Sequence, residues 1–346
     1  MTISNCNDEE EYKIAKQQAV NQTLAPLLRH YQDAVKFIWI GKKSRRRVTF
    51  QVDKNNNLGF FLVKTNKLII VEDYDLATSA INSLIAPLKK IIKKIPNKII
   101  TQIVVTDFDN GLDIVLRCDQ VLQGEGLQIL IDFAKNQHLN LSFVINDNLF
   151  PLYLLRKNQI IYDDVVLDVA SDVFVQPTKE GLNCIIQILQ TQLLHNNAKN
   201  IVDLFAGFGI YTFALNSKIK AHFQCYEGME NMVKIIQQNV AKHHLKNIKF
   251  FNRDLFNDPV TLKDLKNIDN VIINPPRNGA LPQIIELARA SIANIQYVSC
   301  NPQTFVRDAK ILIDSNYSIV NIYALDQFYS TNHCEIITCF SKKIKL

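Results

Sequence analysis

The sequence predicts an α/β protein in two parts: a doubly wound, mostly parallel sheet over residues 169–346, preceded by a smaller α+β domain over residues 1–168. Three observations lead there. The chain has 346 residues, too many for one minimal domain and suited to two. From about residue 176 strand and helix patterns alternate strictly, which demands crossover connections and a parallel sheet. Before that point strand patterns come in runs, the mark of an α+β arrangement.

Composition narrows the class. Apolar residues make up 47% and charged residues 21%, enough apolar material for a buried core, so disorder along the whole chain is excluded. Ten glycines and ten prolines exclude a collagenous or low-complexity chain. The formal charge of +6 favours a polyanionic partner over an acidic one. No apolar run reaches membrane-spanning length, and the acidic, polar start MTISNCNDEEEYK lacks the pattern of a signal peptide, so a cytoplasmic protein is expected. The seven cysteines (Cys6, Cys118, Cys184, Cys225, Cys300, Cys334 and Cys339) are odd in number and form no CxxC, which argues against a disulfide framework and a zinc site. No metal site is expected.

In the first part, residues 9–31 have helical spacing with Ile14, Ala19, Leu24 and Leu28 as the apolar stripe. The basic run KKSRRR at 42–47 leads into alternation at 48–52, a turn signal at 53–57 and strands at 58–63 and 67–71. A helix at 77–94, strands at 99–106 and 112–117, a helix at 126–137, and strands at 141–145 and 159–162 complete it. The second part reads as a helix at 181–195, strand 200–205, a helix from 211, strand 222–226, helix 230–244, and strands 248–252 and 270–273. It closes with helix 281–291, strand 295–299, helix 302–315 and strands 317–325 and 335–341.

Ligands of open α/β sheets bind beyond the carboxyl ends of the strands, so the residues following each strand carry the chemistry. After the first comes DLFAGFG, where Gly207 and Gly209 let the backbone approach a ligand at a helix N-terminus; it is not a complete G-x-G-x-x-G. Glu227, about twenty residues on, stands where a ribose diol is gripped. Asp254 either receives an adenine amino group or caps a turn. Asn274-Pro275-Pro276-Arg277 is a rigid extended segment suited to holding a planar group. Cys300 ends its strand just before a helix that Pro302 can open, a position expected to lower the thiol pKa and favour the nucleophilic thiolate. Glu335 begins the last strand; if that strand runs antiparallel, its carboxylate lies on the same edge as Cys300 and can accept a proton. His333 is expected to orient or pack, not to ligate metal.

Together, DLFAGFG (203–209), NPPRNGA (274–280), YVSCNPQTFVRD (297–308), DQF…HCE (326–335) and FVQP (174–177) resemble the RNA 5-methyluridine (uracil-5-)methyltransferases, which use S-adenosylmethionine. The resemblance covers about residues 170–342 strongly, and RRRVTF with the later GFF more weakly. It implies a Rossmann-like methyltransferase domain. It further implies that the Cys300 thiolate adds to C6 of a uracil, that C5 then takes a methyl group, and that Glu335 removes the C5 proton. It places Gln176, Phe205, Glu227 and Asn274 at the methyl donor, with Asp254 beside them and Gly207 and Gly209 shaping the turn. The target base must leave its stack to reach the thiol. RNA is expected on the first domain, with Lys42, Lys43, Arg45, Arg46 and Arg47 as the phosphate patch and Arg277 as a further contact.

Departures from the family pattern are specific. Asn274 stands where much of the family has Asp. Only Cys6 precedes Cys118, so no iron–sulfur cluster is expected, and the small RNA-binding β-barrel of many members is expected to be absent. The C-terminal pattern looks more like the members that act on 23S ribosomal RNA than the transfer-RNA ones, and a monomer without membrane attachment is expected. The alternatives are a transfer-RNA uridine C5-methyltransferase, an amino-methyltransferase of the NPP type, and an RNA-binding assembly factor without activity.

Overall fold

The computed structural model describes residues 8–62, 65, 67–290, 292–329, 331 and 333–343; Cys6 lies outside them. The chain divides into two compact units, residues 1–40 with 180–346, and residues 41–179. The expected division after residue 168 differs from this at the front, where 1–40 group with the C-terminal unit.

The discontinuous unit begins with α1 (Glu9–Leu28) and β1 (Lys36–Trp39). Three glutamates, Glu9, Glu10 and Glu11, occupy the first turn of α1, where negative charge complements the helix dipole. Its buried positions are Tyr12, Lys16, Val20, Leu24 and Leu27, whereas Ile14 is 53% exposed. Of the expected stripe, Leu24 is buried and Leu28 packs against the core, while Ile14 points outward and Tyr12, Lys16, Val20 and Leu27 complete the inward face. One position of that face is a lysine, which apolar periodicity cannot reveal.

The continuous unit holds β2 (Arg47–Val52), β3 (Leu58–Phe61), β4 (Leu68–Ile70), α2 (Ser79–Ile92), β5 (Ile100–Phe108), β6 (Gly111–Cys118), α3 (Gly124–Asn136), β7 (Asn140–Ile145) and β8 (Asn148–Tyr153). The strands form one sheet in the order β4-β3-β2-β5-β6-β7-β8. Only the β6–β7 pair is parallel, and α3 is the crossover that this requires. Ile81, Leu84, Ile85, Leu88 and Ile92 line the buried side of α2 at helical spacing and pack on this sheet. The ribbon of β9 (Asn158–Tyr162) and β10 (Val165–Val169) follows.

The chain then returns with α4 (Lys179–His195), β11 (Asn200–Leu204), α5 (Ile210–Asn216), β12 (His222–Glu227), α6 (Glu230–Lys242), β13 (Ile248–Asn252), β14 (Asn270–Ile273), α7 (Leu281–Ala290), β15 (Asn294–Ser299), α8 (Pro302–Asp314), β16 (Tyr317–Asp326) and β17 (Glu335–Lys342). The eight-stranded sheet has the order β1-β16-β17-β15-β14-β11-β12-β13. Strands β11 to β15 are mutually parallel, and β17 runs antiparallel between β15 and β16. The doubly wound sheet is the fold class expected of the C-terminal part. Its unexpected member is β1, which pairs in parallel with β16 at the edge. On one face, Val20, Leu24, Leu27 and Tyr31 join Leu312, Ile322 and Phe340 in a common core. Among the described residues no helix is long and apolar enough to cross a membrane.

Not all of the run KKSRRR is exposed, as the expected phosphate patch requires. Lys42 and Lys43 are exposed, but Arg46 is buried, its guanidinium 3.5 Å from Asp109 and its Nε donating to the Asp107 carbonyl at 3.1 Å. Arg47 donates to the Val173 carbonyl, and burial pulls its pKa down. Arg45 is half-buried and donates to the Arg47 carbonyl at 3.2 Å. The arginines thus satisfy internal acceptors, which a local count of charges cannot show. Asp109 also accepts from Lys179 at 2.8 Å and from the Ile161 N–H at 2.7 Å. Arg46→Met is expected to lower stability by about 3 kcal/mol, the low end for breaking a buried pair, because those two donors remain. Urea unfolding measures this, and affinity for RNA should be unchanged in the folded variant.

Candidate active site

The strand order reverses at β11: β12 and β13 lie on one side of it, β14 and β15 on the other. A crevice opens at such a reversal beyond the carboxyl ends of the strands. Because β17 is antiparallel, its first residue reaches the same edge.

Beyond β11 the backbone turns sharply. Phe205 and Gly207 have φ of 59° and 56°, and Gly209, at the N-cap of α5, has φ of 85°. A Cβ on Gly209 would stand 2.9 Å from the Phe213 ring, whereas one on Gly207 would meet nothing within 4 Å. Gly207 therefore leaves open space before its backbone. Its N–H donates to Glu227 Oε2 at 2.8 Å, and the Met229 N–H donates to Oε1 at 2.9 Å. Below the turn Asp203 is fully buried; burial raises its pKa to about 7 against the Thr212 hydroxyl donated at 2.7 Å, and its Oδ1 has no hydrogen-bond partner.

Asn274 follows β14, its N–H donating to the Leu204 carbonyl at 3.3 Å and its Nδ2 to the Tyr211 hydroxyl at 3.4 Å. The Phe205 ring lies 5.4 Å from that of Phe256. Asp254 accepts from the Phe256 N–H at 3.0 Å and from Asn257 Nδ2 at 2.7 Å, which holds its pKa below the ordinary carboxylate value. Of its two expected readings, these bonds are those of a turn cap. Phe205, Gly207, Gly209, Glu227, Asp254 and Asn274 thus share the crevice edge. Gln176 is buried in the 41–179 unit.

The second group lies at β15 and β17. Ser299 pairs with Ile336 in antiparallel register, so the next residues along, Cys300 and Glu335, lie at the same edge of the sheet. Beyond Cys300, Asn301 caps α8 by accepting from the Gln303 N–H at 3.1 Å, and Pro302 occupies the first turn. The expected lowering of the thiol pKa is reversed. Burial raises it, the Glu335 charge raises it further, and only then does Arg277 pull it down by charge and by a hydrogen bond. Loss of water and a like charge outweigh the helix terminus. Burial likewise raises Glu335 to about 7, opposed by Gln327, whose Nε2 donates to Oε2 at 3.3 Å.

Arg277, expected at a phosphate, is exposed and has its guanidinium within hydrogen-bond reach of the thiol. Its carbonyl accepts from Asn301 Nδ2 at 2.8 Å and from the Thr304 hydroxyl at 3.2 Å, which fastens NPPR to the cysteine loop. Gln327 and Lys16 were not singled out from sequence. Gln327 lies within the DQF element and could have been; nothing local marks Lys16. His333 is exposed, its Nε2 3.5 Å from an Arg277 nitrogen. Among the described residues no group of three or more His, Cys, Asp or Glu side chains is placed to hold a metal ion.

The family described as tRNA (Uracil-5-)-methyltransferase matches residues 11–343. The 23S rRNA (uracil(1939)-C(5))-methyltransferase RlmD of Haemophilus influenzae (strain 86-028NP) is 31% identical over 306 residues, spanning 86% of this chain and 70% of that protein. Its counterpart in Haemophilus parainfluenzae (strain T3T1) is 29% identical over 307 residues, again 86% and 70%. The crystal structure of Pyrococcus abyssi tRNA (uracil-54, C5)-methyltransferase in complex with S-adenosyl-L-homocysteine shares the fold, with a TM-score of 0.74 over 95% of this chain and 82% of that one at 19% identity. The match of the family over nearly the whole chain, together with a 31% identical relative, shows that the chain belongs to the tRNA (uracil-5-)-methyltransferase family.

Proposed function

We propose that this protein transfers a methyl group from S-adenosylmethionine to C5 of a uridine in 23S ribosomal RNA, through a covalent bond between Cys300 and C6 of the base. The observation that carries the reading is the placement of a thiol and a carboxyl at the same edge of a doubly wound sheet, in a chain of the uracil-5 methyltransferase family. The relatives named for 23S rRNA favour that substrate over transfer RNA.

The crevice fits S-adenosylmethionine. Space is open before the Gly207 backbone, and Glu227 keeps lone pairs for ribose hydroxyls because each of its oxygens accepts only one backbone N–H. Phe205, Glu227 and Asn274 would hold the cofactor around the Gly207–Gly209 turn. When bound, it supplies the electrophilic methyl group that C5 takes up.

The protein's residues do the rest. Uracil C5 is a poor nucleophile until a thiolate adds to C6 and its electron pair moves to C5 and O4. The Arg277 guanidinium favours the thiolate during addition and again when it leaves. Once C5 carries the methyl group, the Glu335 carboxylate removes the C5 proton. The freed pair re-forms the C5–C6 double bond and expels Cys300. Arg277 is therefore a residue of the reacting centre, and Lys42 and Lys43 are the exposed cations of the KKSRRR run that meet phosphates. All the groups named come from one chain, which acts as a monomer in the cytoplasm.

With 23S rRNA fragments containing 5-fluorouridine, whose C5 substituent cannot leave as a proton, the protein should form an adduct that survives denaturation. Cys300→Ala should form none and should transfer no methyl group to ordinary RNA; measurable transfer by that variant rejects the assignment. Because Glu335 works as a carboxylate and its pKa is raised to about 7, the turnover rate should rise with pH through about 7. Single-turnover rates across that range check the sign. Glu335→Gln should lose roughly 100- to 10,000-fold in rate and should accumulate the covalent adduct on ordinary uridine RNA.

A further inference from the structure

Lys16 of α1 is 1% exposed, and lysines are almost never fully buried unless paired. An ammonium has three donors, and three acceptors stand around this one. They are Asp326 Oδ1 at 3.1 Å and the carbonyls of Thr331 at 2.7 Å and His333 at 2.6 Å. Asp326 ends β16, and Thr331 and His333 lie in the stretch that joins it to β17. Asp326 is held further by the Tyr12 hydroxyl, also on α1, and accepts the Phe328 N–H at 3.2 Å. Next along the chain from Asp326 is Gln327, which donates to Glu335; two residues on from His333 is Glu335 itself.

We infer that Lys16 is a positioning residue for the proton-removal step: α1 clamps the connection between β16 and β17 and so fixes Gln327 and Glu335 against Cys300. The inference rests on the roles of Cys300 and Glu335 proposed above. An apolar residue at position 16 would pack α1 as well. What only a cation supplies is the simultaneous hold on a carboxylate and two carbonyls, each immediately before a residue of the reacting centre or within a few residues of it. Neither Glu227 nor Asn301 bonds to α1 among the described hydrogen bonds, so the hold of Lys16 acts directly on the β16–β17 connection alone.

The prediction differs from that of a merely structural lysine. Lys16→Met should still add Cys300 to uridine RNA and take up the methyl group, but should release product slowly, turning over about ten- to a hundredfold less and accumulating a denaturation-resistant adduct on ordinary uridine RNA as Glu335→Gln does. Lys16→Met/Asp326→Asn, which leaves no unpaired buried carboxylate, should show the same accumulation. Gel analysis of radiolabelled RNA after denaturation, beside the Michaelis constant for S-adenosylmethionine, reads both; that constant should stay within about twofold, since 0.4 kcal/mol is a factor of two. Turnover at the wild-type rate, or loss of adduct together with product in either variant, overturns the inference. Absence of adduct between the wild-type protein and 5-fluorouridine RNA would instead reject the catalytic reading beneath it.

Discussion

A half-buried thiol and a buried carboxyl brought to the same edge of the sheet are the constraint on which the rest of this site depends. Neither group ionises easily there, because burial penalises both anions and the Glu335 charge further opposes the thiolate. The antiparallel last strand creates the problem and the opportunity together: without β17 between β15 and β16, Glu335 would emerge at the opposite edge of the sheet. Arg277 relieves the thiol side, and Gln327 the carboxyl side. The arrangement also has a thermodynamic sign. A carboxyl raised from 4.5 to about 7 contributes its full stabilisation below pH about 4.5 and loses it as pH rises through about 7. The protein is therefore least helped by Glu335 in the range where that group is a base.

The cofactor side is built on the opposite logic. Glu227 sits at the surface of the turn with both oxygens receiving backbone N–H groups, so its charge is supported by dipoles rather than opposed. Asp203, one layer down, has its pKa raised to about 7 and one oxygen unpartnered. Of these two acids on adjacent strands, Asp203 is fully buried and underpins the turn through Thr212, while Glu227 is half-buried and accepts two backbone N–H groups.

Much of this was legible in the sequence, and the rest was hidden for definite reasons. Strand–helix alternation located the doubly wound sheet because period and length are local properties. Residues at strand ends located Cys300, Glu227 and Asn274 because the carboxyl edge of a parallel sheet is where ligands bind. Glu335 followed from a single condition, the direction of the last strand. The direction of the Cys300 shift did not follow, since a helix N-terminus is visible in sequence and desolvation is not. Arg46 and Arg47 read as a phosphate patch because their acceptors, Asp109 and the Val173 carbonyl, lie far along the chain. The same is true of β1 and Lys16, whose partners are near the C-terminal end of the sequence.

That last separation bears on how the molecule is made. Tyr12 and Asp326 are 314 residues apart, and at ribosomal rates of about 5–20 residues per second the helix waits roughly 15–60 s for its partner to be synthesised. Residues 41–179, contiguous in sequence, can close their own sheet on the ribosome meanwhile. The nascent α1 has no sheet to cover Val20, Leu24 and Leu27 until the strands of the C-terminal part are made. The reacting centre is completed only after nearly the whole polypeptide has been translated.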